Sequence, residues 1–313
     1  MQRRSLLRAG AASAVGLLSV SQGLTAPAAR KSANTPNTPN TTVNTPAAVI
    51  AQDGTTLFVR QCGTGDPVLF VAAWGLDSLA WQYQMERMSR EGFRCVAFDR
   101  RSHGRSSDPG AGYDLETLAH DVHSVIEQLR LSEVLLVGHS LGAAESVRYL
   151  TRHGMNRVRR LALVAPTTPF LLKSSDNPDG LEPRALEGMR AAFREDFPGI
   201  LVANIRPFVL PTTSQAMIDW IVDMMSRTPV KALIDCNAAF SAADFRAELP
   251  AITLPTLILQ GDADISAPLA LTGRKTAALL PNALLKVYPG APHGLIFTHA
   301  DRVASDLVAF ARG

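Results

Sequence analysis

The segment Gly138-His139-Ser140-Leu141-Gly142 constrains this chain more than any other stretch. It follows an apolar run, Val134–Val137, and leads into a helical pattern, Leu141–His153, that stops at Gly154. G-x-S-x-G between a strand and a helix describes a turn so tight that the positions two before and two after the serine have to lack bulk. Such a turn lifts the serine hydroxyl above the sheet and leaves it accessible. The motif alone arises often by chance; the strand before it and the helix after it make it specific.

The rest of the chain supplies a matching frame. Short, nearly continuous apolar runs recur at Val68–Ala73, Arg94–Phe98, Val134–Val137, Leu161–Val164, Thr256–Leu259 and Leu284–Tyr288. Runs without alternation predict parallel strands covered on both faces. Thr55–Cys62 alternates and is predicted as an edge strand. Helical patterns separate the runs: Ala80–Arg90, Leu115–Leu129 with Asp114 as its N-cap, Leu141–His153, Ala267–Leu280 and Ala300–Ala311. Alternating strands and helices predict an α/β fold with a doubly wound, mostly parallel sheet. The rhythm breaks between Pro166 and Pro255, where helices are expected at Leu181–Phe193, Ile200–Val209, Ser214–Met225 and Val230–Phe240. This stretch, about residues 166–250, reads as a helical cap over the carboxyl ends of the strands, where open α/β sheets bind ligands. Most of its aromatic residues are expected to fill helix cores, and a few to line an apolar pocket.

A serine hydroxyl is a weak nucleophile at neutral pH and needs a base, which in turn needs a group to orient it. In the fold that uses this turn, the chain order is serine, acid, histidine. His293, in Ala291-Pro292-His293-Gly294 just past the run Leu284–Tyr288, is the candidate base. His299 falls at the start of the last helix and is expected at the surface, and His139 is expected to shape the pocket. The acid comes from Gly261-Asp262-Ala263-Asp264. Asp264 is the choice; in the alternative reading Asp262 serves, and otherwise Asp262 holds the turn through backbone hydrogen bonds. Acyl transfer develops an oxyanion that two backbone N–H groups should meet. Leu141 is one candidate donor and Trp74, after the run Val68–Ala73, is the other. No metal or cofactor is called for by this set.

Several stretches together carry a family resemblance: Trp74-Gly75-Leu76-Asp77, Trp81-Gln82-Tyr83-Gln84-Met85, Phe98-Asp99-Arg100-Arg101 with Gly104-Arg105-Ser106, Asp244-Phe245-Arg246, Thr253-Leu254-Pro255-Thr256 and Ala291-Pro292-His293-Gly294. From about Ala48 to the C-terminus the chain resembles the cofactor-free haloperoxidase, arylesterase and perhydrolase family of the α/β-hydrolase fold. The resemblance implies a Ser140-Asp264-His293 triad and hydrolysis of small or aromatic esters, with peracid formation in some members. Members usually carry His-Gly before the oxyanion aromatic, the His bracing that loop; here Ala72 and Ala73 stand there. Gly75 replaces a Pro common in strongly peroxidative members, which favours hydrolysis. Ser102 stands where Gly is usual, in a turn read as structural.

Charge and the N-terminus bound the remaining possibilities. Residues 1–28 hold Arg3, Arg4 and Arg8 without an acid, and the rest of the chain has 28 basic and 28 acidic side chains. Nucleic-acid binding would need a basic excess on the folded domain itself. A basic start, the apolar stretch Ala9–Val20 and Ala26-Pro27-Ala28 have the layout of a cleavable signal peptide. Gln2-Arg3-Arg4-Ser5-Leu6-Leu7 resembles the twin-arginine signal, implying the Tat export machinery as a partner and a periplasmic or secreted product. The apolar stretch is too short for stable membrane insertion. Residues 29–47, rich in Asn, Thr and Pro, are expected to be a disordered linker before a domain at 48–313. The three cysteines match no metal pattern; Cys95 and Cys236 are expected as free buried thiols, and a Cys62–Cys95 bridge is conceivable. The substrate is expected to be a small-molecule ester; nothing in the sequence bears on oligomeric state.

Overall fold

The computed structural model describes residues 47–313. The expected signal peptide, and all but the last residue of the expected linker, lie outside the described residues. The chain begins with β1 (Ala48–Ile50), β2 (Thr56–Cys62) and β3 (Asp66–Val71), then α1 (Gln82–Arg90), β4 (Phe93–Phe98), α2 (Leu115–Gln128), β5 (Val134–His139), α3 (Leu141–His153) and β6 (Val158–Val164). Three helices follow without an intervening strand: α4 (Pro183–Asn204), α5 (Gln215–Ser226) and α6 (Val230–Ala242). Strand and helix then resume as β7 (Thr256–Gly261), α7 (Gly273–Leu279), β8 (Ala283–Tyr288), α8 (Leu295–Thr298) and α9 (Ala300–Arg312).

The strands form one sheet in the order β1-β2-β4-β3-β5-β6-β7-β8. β1–β2 and β2–β4 are antiparallel and every later pair is parallel. Most of the continuous apolar runs have the physical basis expected of them; the run Leu284–Tyr288 does not, because β8 is the edge strand and is mostly part-exposed, with Leu284 open to solvent. Along β3, Val68 and Phe70 enter the core on the face covered by α1 and α9, while Leu69 and Val71 enter the core under α2 and α3. With both faces buried, neither set of alternate positions is free to be polar.

Several elements depart from the sequence expectation, each for a local reason. Thr55–Cys62 was expected at the edge, but β2 lies inside the sheet because the three-residue β1 covers it. So short a strand leaves no readable pattern. The expected helix Ala267–Leu280 shrinks to α7, because side chains claim the backbone before it. The Asp264 carboxylate accepts the N–H groups of Ser266 and Ala267, and Gln260 Nε2 donates to the Ala267 carbonyl. The helices expected at Leu181–Phe193 and Ile200–Val209 run as α4, broken at Asp196 (φ −153°, ψ 76°), whose carboxylate accepts the Gly199 N–H. Pro198 then stands in the first turn of the second half, where it costs no hydrogen bond. α1 begins with a 3₁₀ turn, Ser78–Trp81, capped by Asp77. Asp114 caps α2, accepting the Thr117 N–H at 2.9 Å. Cys62 and Cys95 face each other across β2 and β4 as free thiols, and Cys236 is also free.

Two close backbone approaches fix the strand ends where the loops emerge. A Cβ on Gly142 would lie 2.3 Å from the Val71 carbonyl oxygen, so α3 starts directly against the end of β3. A Cβ on Gly261 would lie 1.8 Å from the Ala291 carbonyl oxygen, so the end of β7 presses on the loop after β8. Gly261→Ala should therefore lower stability by about 1–3 kcal/mol, as overpacking does, read as a lower urea midpoint at unchanged slope; an unchanged midpoint would contradict this packing.

Candidate active site

Ser140 is the single residue between β5 and α3. Its backbone sits at φ 56°, ψ −114°, in the region that L-residues rarely adopt. A Cβ on Gly138 would lie 2.3 Å from the Gly142 carbonyl oxygen, and one on Gly142 equally close to the Val71 carbonyl oxygen, which is why both flanking positions are glycine. The Ser140 N–H donates to the Val164 carbonyl at 3.0 Å, tying the strained turn to β6.

The structure brings Ser140, His293 and Asp264 together from three loops at the carboxyl ends of β5, β8 and β7. His293 Nε2 lies 2.9 Å from Ser140 Oγ, and His293 Nδ1 lies 2.7 Å from Asp264 Oδ2. Asp264 accepts through Oδ2, so Nδ1 carries the proton and Nε2 is left to accept from the serine hydroxyl. All three side chains are nearly excluded from water, with residue exposures of 5, 5 and 4% for Ser140, His293 and Asp264. Burial pushes the Asp264 carboxyl up, but His293 and the Ala267 N–H favour its charged form and leave it below the ordinary carboxylate value. Asp262 lies outside this set: it is exposed, and its carboxylate accepts the Gly290 N–H at 2.6 Å, which closes the turn between β8 and the His293 loop.

The two candidate oxyanion donors lie beside the serine. Leu141 opens α3, and Trp74 follows the end of β3. Among the described residues neither backbone N–H has a protein partner. The Trp74 side chain is anchored in the cap: Nε1 donates to the Leu233 carbonyl at 2.7 Å, and its ring stacks on Phe193 at 5.4 Å between centroids. Gly75 has φ 72°, which a proline ring cannot reach.

Three supporting groups have roles that the sequence did not disclose. His139 does not line the cavity; it is fully buried, and its Nε2–H donates to the His293 carbonyl at 3.1 Å, holding the His293 loop. Burial, with the neighbouring His293, lowers its pKa to about 3, so it is neutral. Gln260, at the end of β7, donates to the Ala267 carbonyl and shapes the Asp264 loop. Arg100 and Glu145 form a buried ion pair at 2.5 Å beneath the Trp74 loop. The available sign of such a pair was that Glu145 is the one charged residue in the buried first seven positions of α3, Leu141–Val147. His299, expected at the surface, is half-buried with its ring against Tyr288. Ser102 takes a positive φ of 63° and donates to Asp108 at 2.6 Å, as a structural turn residue.

A cavity of about 420 Å³ opens over Ser140 and His293. The cap supplies most of its wall, including Leu186, Phe193, Phe197, Leu201, Phe208 and Met225, and no Lys, Arg, Asp or Glu lines it. Among the described residues no helix is long and apolar enough to cross a membrane.

Residues 66–300 match the family model described as the alpha/beta hydrolase fold. Over 277 residues the chain is 36% identical to a non-heme haloperoxidase of Rhodococcus erythropolis, covering 84% of this chain and 98% of that protein. It is also 36% identical over 274 residues to a bifunctional esterase/perhydrolase of Acinetobacter calcoaceticus, covering 84% and 99%. The solved structure of an esterase from Exiguobacterium antarcticum superposes with a TM-score of 0.83 at 27% identity, over 85% of this chain and 99% of that one.

The buried neutral His139 has a thermodynamic signature. Its folded-state pKa lies below the ordinary 6.5, so between about pH 6.5 and 3 the unfolded chain binds a proton that the folded chain does not. The stability this contributes is complete above pH 6.5 and is lost as pH falls. From pH 7 to 5 the wild type should lose about 2 kcal/mol more than His139→Asn does, measured by urea unfolding at both pH values; equal losses would contradict a neutral buried imidazole.

Proposed function

The chain belongs to the alpha/beta hydrolase fold family, and we propose that it cleaves carboxylic esters or lactones through an acyl-enzyme on Ser140. The observation that carries this reading is the continuous relay from Asp264 Oδ2 through His293 to Ser140 Oγ, at 2.7 and 2.9 Å. His293 Nε2 takes the hydroxyl proton as Oγ attacks the substrate carbonyl, and Asp264 holds the ring and stabilises the imidazolium. The Trp74 and Leu141 N–H groups receive the oxyanion. His293 then passes the proton to the leaving alkoxide, releasing the alcohol. A water, deprotonated by the same nitrogen, adds to the acyl carbon and frees the acid and Ser140. The cavity's apolar, uncharged wall favours substrates that are uncharged around the ester.

Peracid formation is the second reading, favoured by the likeness to a bifunctional esterase/perhydrolase. Hydrogen peroxide in place of water would release a peracid from the same acyl-enzyme. Gly75, at a positive φ that a proline ring cannot adopt, stands where the family resemblance places the proline of strongly peroxidative members, which supports hydrolysis as the principal activity.

Ser140→Ala should lower kcat for p-nitrophenyl butyrate by more than about 10⁴-fold, and Asp264→Asn by about 10⁴-fold. Asp262→Asn should stay within a few-fold of wild type. Wild-type turnover by a folded Ser140→Ala protein, or a larger loss at Asp262 than at Asp264, would overturn the assignment.

The same proposal includes export in folded form to the periplasm or medium through the Tat machinery, supported by Arg3-Arg4, the apolar stretch and Ala26-Pro27-Ala28. Replacing Arg3-Arg4 with Lys-Lys should leave the precursor in the cytoplasm on fractionation; unchanged export would refute the twin-arginine route.

A further inference from the structure

The Trp74 N–H belongs to the Ala73–Trp74 peptide group, and a peptide group is planar and trans. Fixing the direction of its carbonyl therefore fixes the direction of its N–H. The Ala73 carbonyl accepts from Arg100 Nη1 at 3.2 Å, and the preceding carbonyl, Ala72, accepts from Arg100 Nη2 at 2.6 Å. Both peptide planes leading into Trp74 are thus pinned by one guanidinium, whose nitrogens are held in a rigid fork. The fork's third side, Nε, donates to Glu145 Oε1 at 2.5 Å. Glu145 lies on α3, one helical turn beyond Leu141, the other candidate oxyanion donor. Its second oxygen, Oε2, is buried without a partner among the described residues, so the acid is committed to Arg100.

We infer that Arg100 and Glu145 are positioning residues for oxyanion stabilisation, clamping the peptide that carries the Trp74 N–H to the helix that begins with the Leu141 N–H. The inference rests on the ester-cleaving reading of Ser140. It accounts for Ala72-Ala73 in place of His-Gly: the loop is braced through its carbonyls from beneath, so it does not depend on a side chain of its own. It also accounts for an ion pair kept at 2% and 1% side-chain exposure. A pair so placed has little net stabilising value over apolar residues of the same size, so its geometry toward the loop is the stronger reason for it. The other titratable groups around Arg100 leave this geometry intact. Burial pushes the Cys236 thiol up to about 12 and lowers His103 to about 3, so both stay neutral, while Asp121 is paired with Arg101 at 2.7 Å.

The test uses the double variant Arg100→Met/Glu145→Met, which removes both charges together and so avoids stranding either in the core. It should fold and bind p-nitrophenyl butyrate with KM within about threefold of wild type, while kcat falls about 10- to 100-fold, since misdirecting one oxyanion donor costs up to the loss of that donor. Its affinity for an aryl trifluoromethyl ketone, whose serine adduct carries an oxyanion, should fall by the same factor. Arg100→Lys keeps the charge opposite Glu145 but loses the fork; it should fold and show the same split with a smaller loss. Either folded variant with wild-type kcat and ketone affinity would overturn the inference, as would a loss confined to KM. A wild-type protein that neither turns over the ester nor binds the ketone would instead sink the underlying reading of Ser140.

Discussion

Backbone approaching backbone at the Ser140 turn is the constraint on which the rest of the structure depends. Gly138 and Gly142 lack side chains because a Cβ at either would lie 2.3 Å from a carbonyl oxygen, and Ser140 between them is held at positive φ. That strain persists only because the surroundings over-determine it. β5 is buried at every residue, the Ser140 N–H is bonded to β6, and α3 is packed against the end of β3. In return, the turn presents the hydroxyl, the start of α3 and the loop after β3 to one point in space.

Asp264 and His293 reach that point by a second contact of the same kind. Gly261 lets the end of β7 press on the Ala291 carbonyl, so the loops bearing Asp264 and His293 descend side by side. Each loop is then shaped from outside the relay. Gln260 and the amides of Ser266 and Ala267 hold Asp264, Asp262 closes the turn at Gly290, and His139 supports the His293 backbone. The placement of Ser140, His293 and Asp264 is thus delegated to neighbouring groups locked in hydrogen bonds.

Much of this was legible in the sequence where one local rule governs. The central strands β3, β5 and β7 read correctly because burial on both faces leaves mainly apolar residues, and the turn at Ser140 read correctly because its glycines are sterically required. Asp264 was distinguishable from Asp262 only by choice, since both follow β7; the difference is that Asp264 is buried and Asp262 exposed, a property of the folded loop. The helix expected from Ala267 failed because Asp264 and Gln260 take its first backbone groups, a competition that periodicity does not register. β1 was missed because three residues carry no pattern. Arg100 was present only as one arginine of the Asp99-Arg100-Arg101 stretch and Glu145 as a charge among small and apolar residues, and the carbonyls that Arg100 holds, those of Ala72 and Ala73, have no sequence signature at all. Backbone acceptors are the part of a site least visible in a sequence.

The cap walls the site with apolar, uncharged side chains. Its helices wall a cavity of about 420 Å³, and Trp74 links the oxyanion loop to the cap through the Leu233 carbonyl. An apolar, uncharged wall strengthens hydrogen bonds made inside it. The central claim is that Ser140 Oγ is the atom that becomes acylated. The most direct measurement is peptide mapping by mass spectrometry after reaction of the folded protein with a fluorophosphonate. The account predicts one adduct per chain, carried by Ser140. An esterase-active protein that remains unlabelled, or is labelled at another residue, would contradict it.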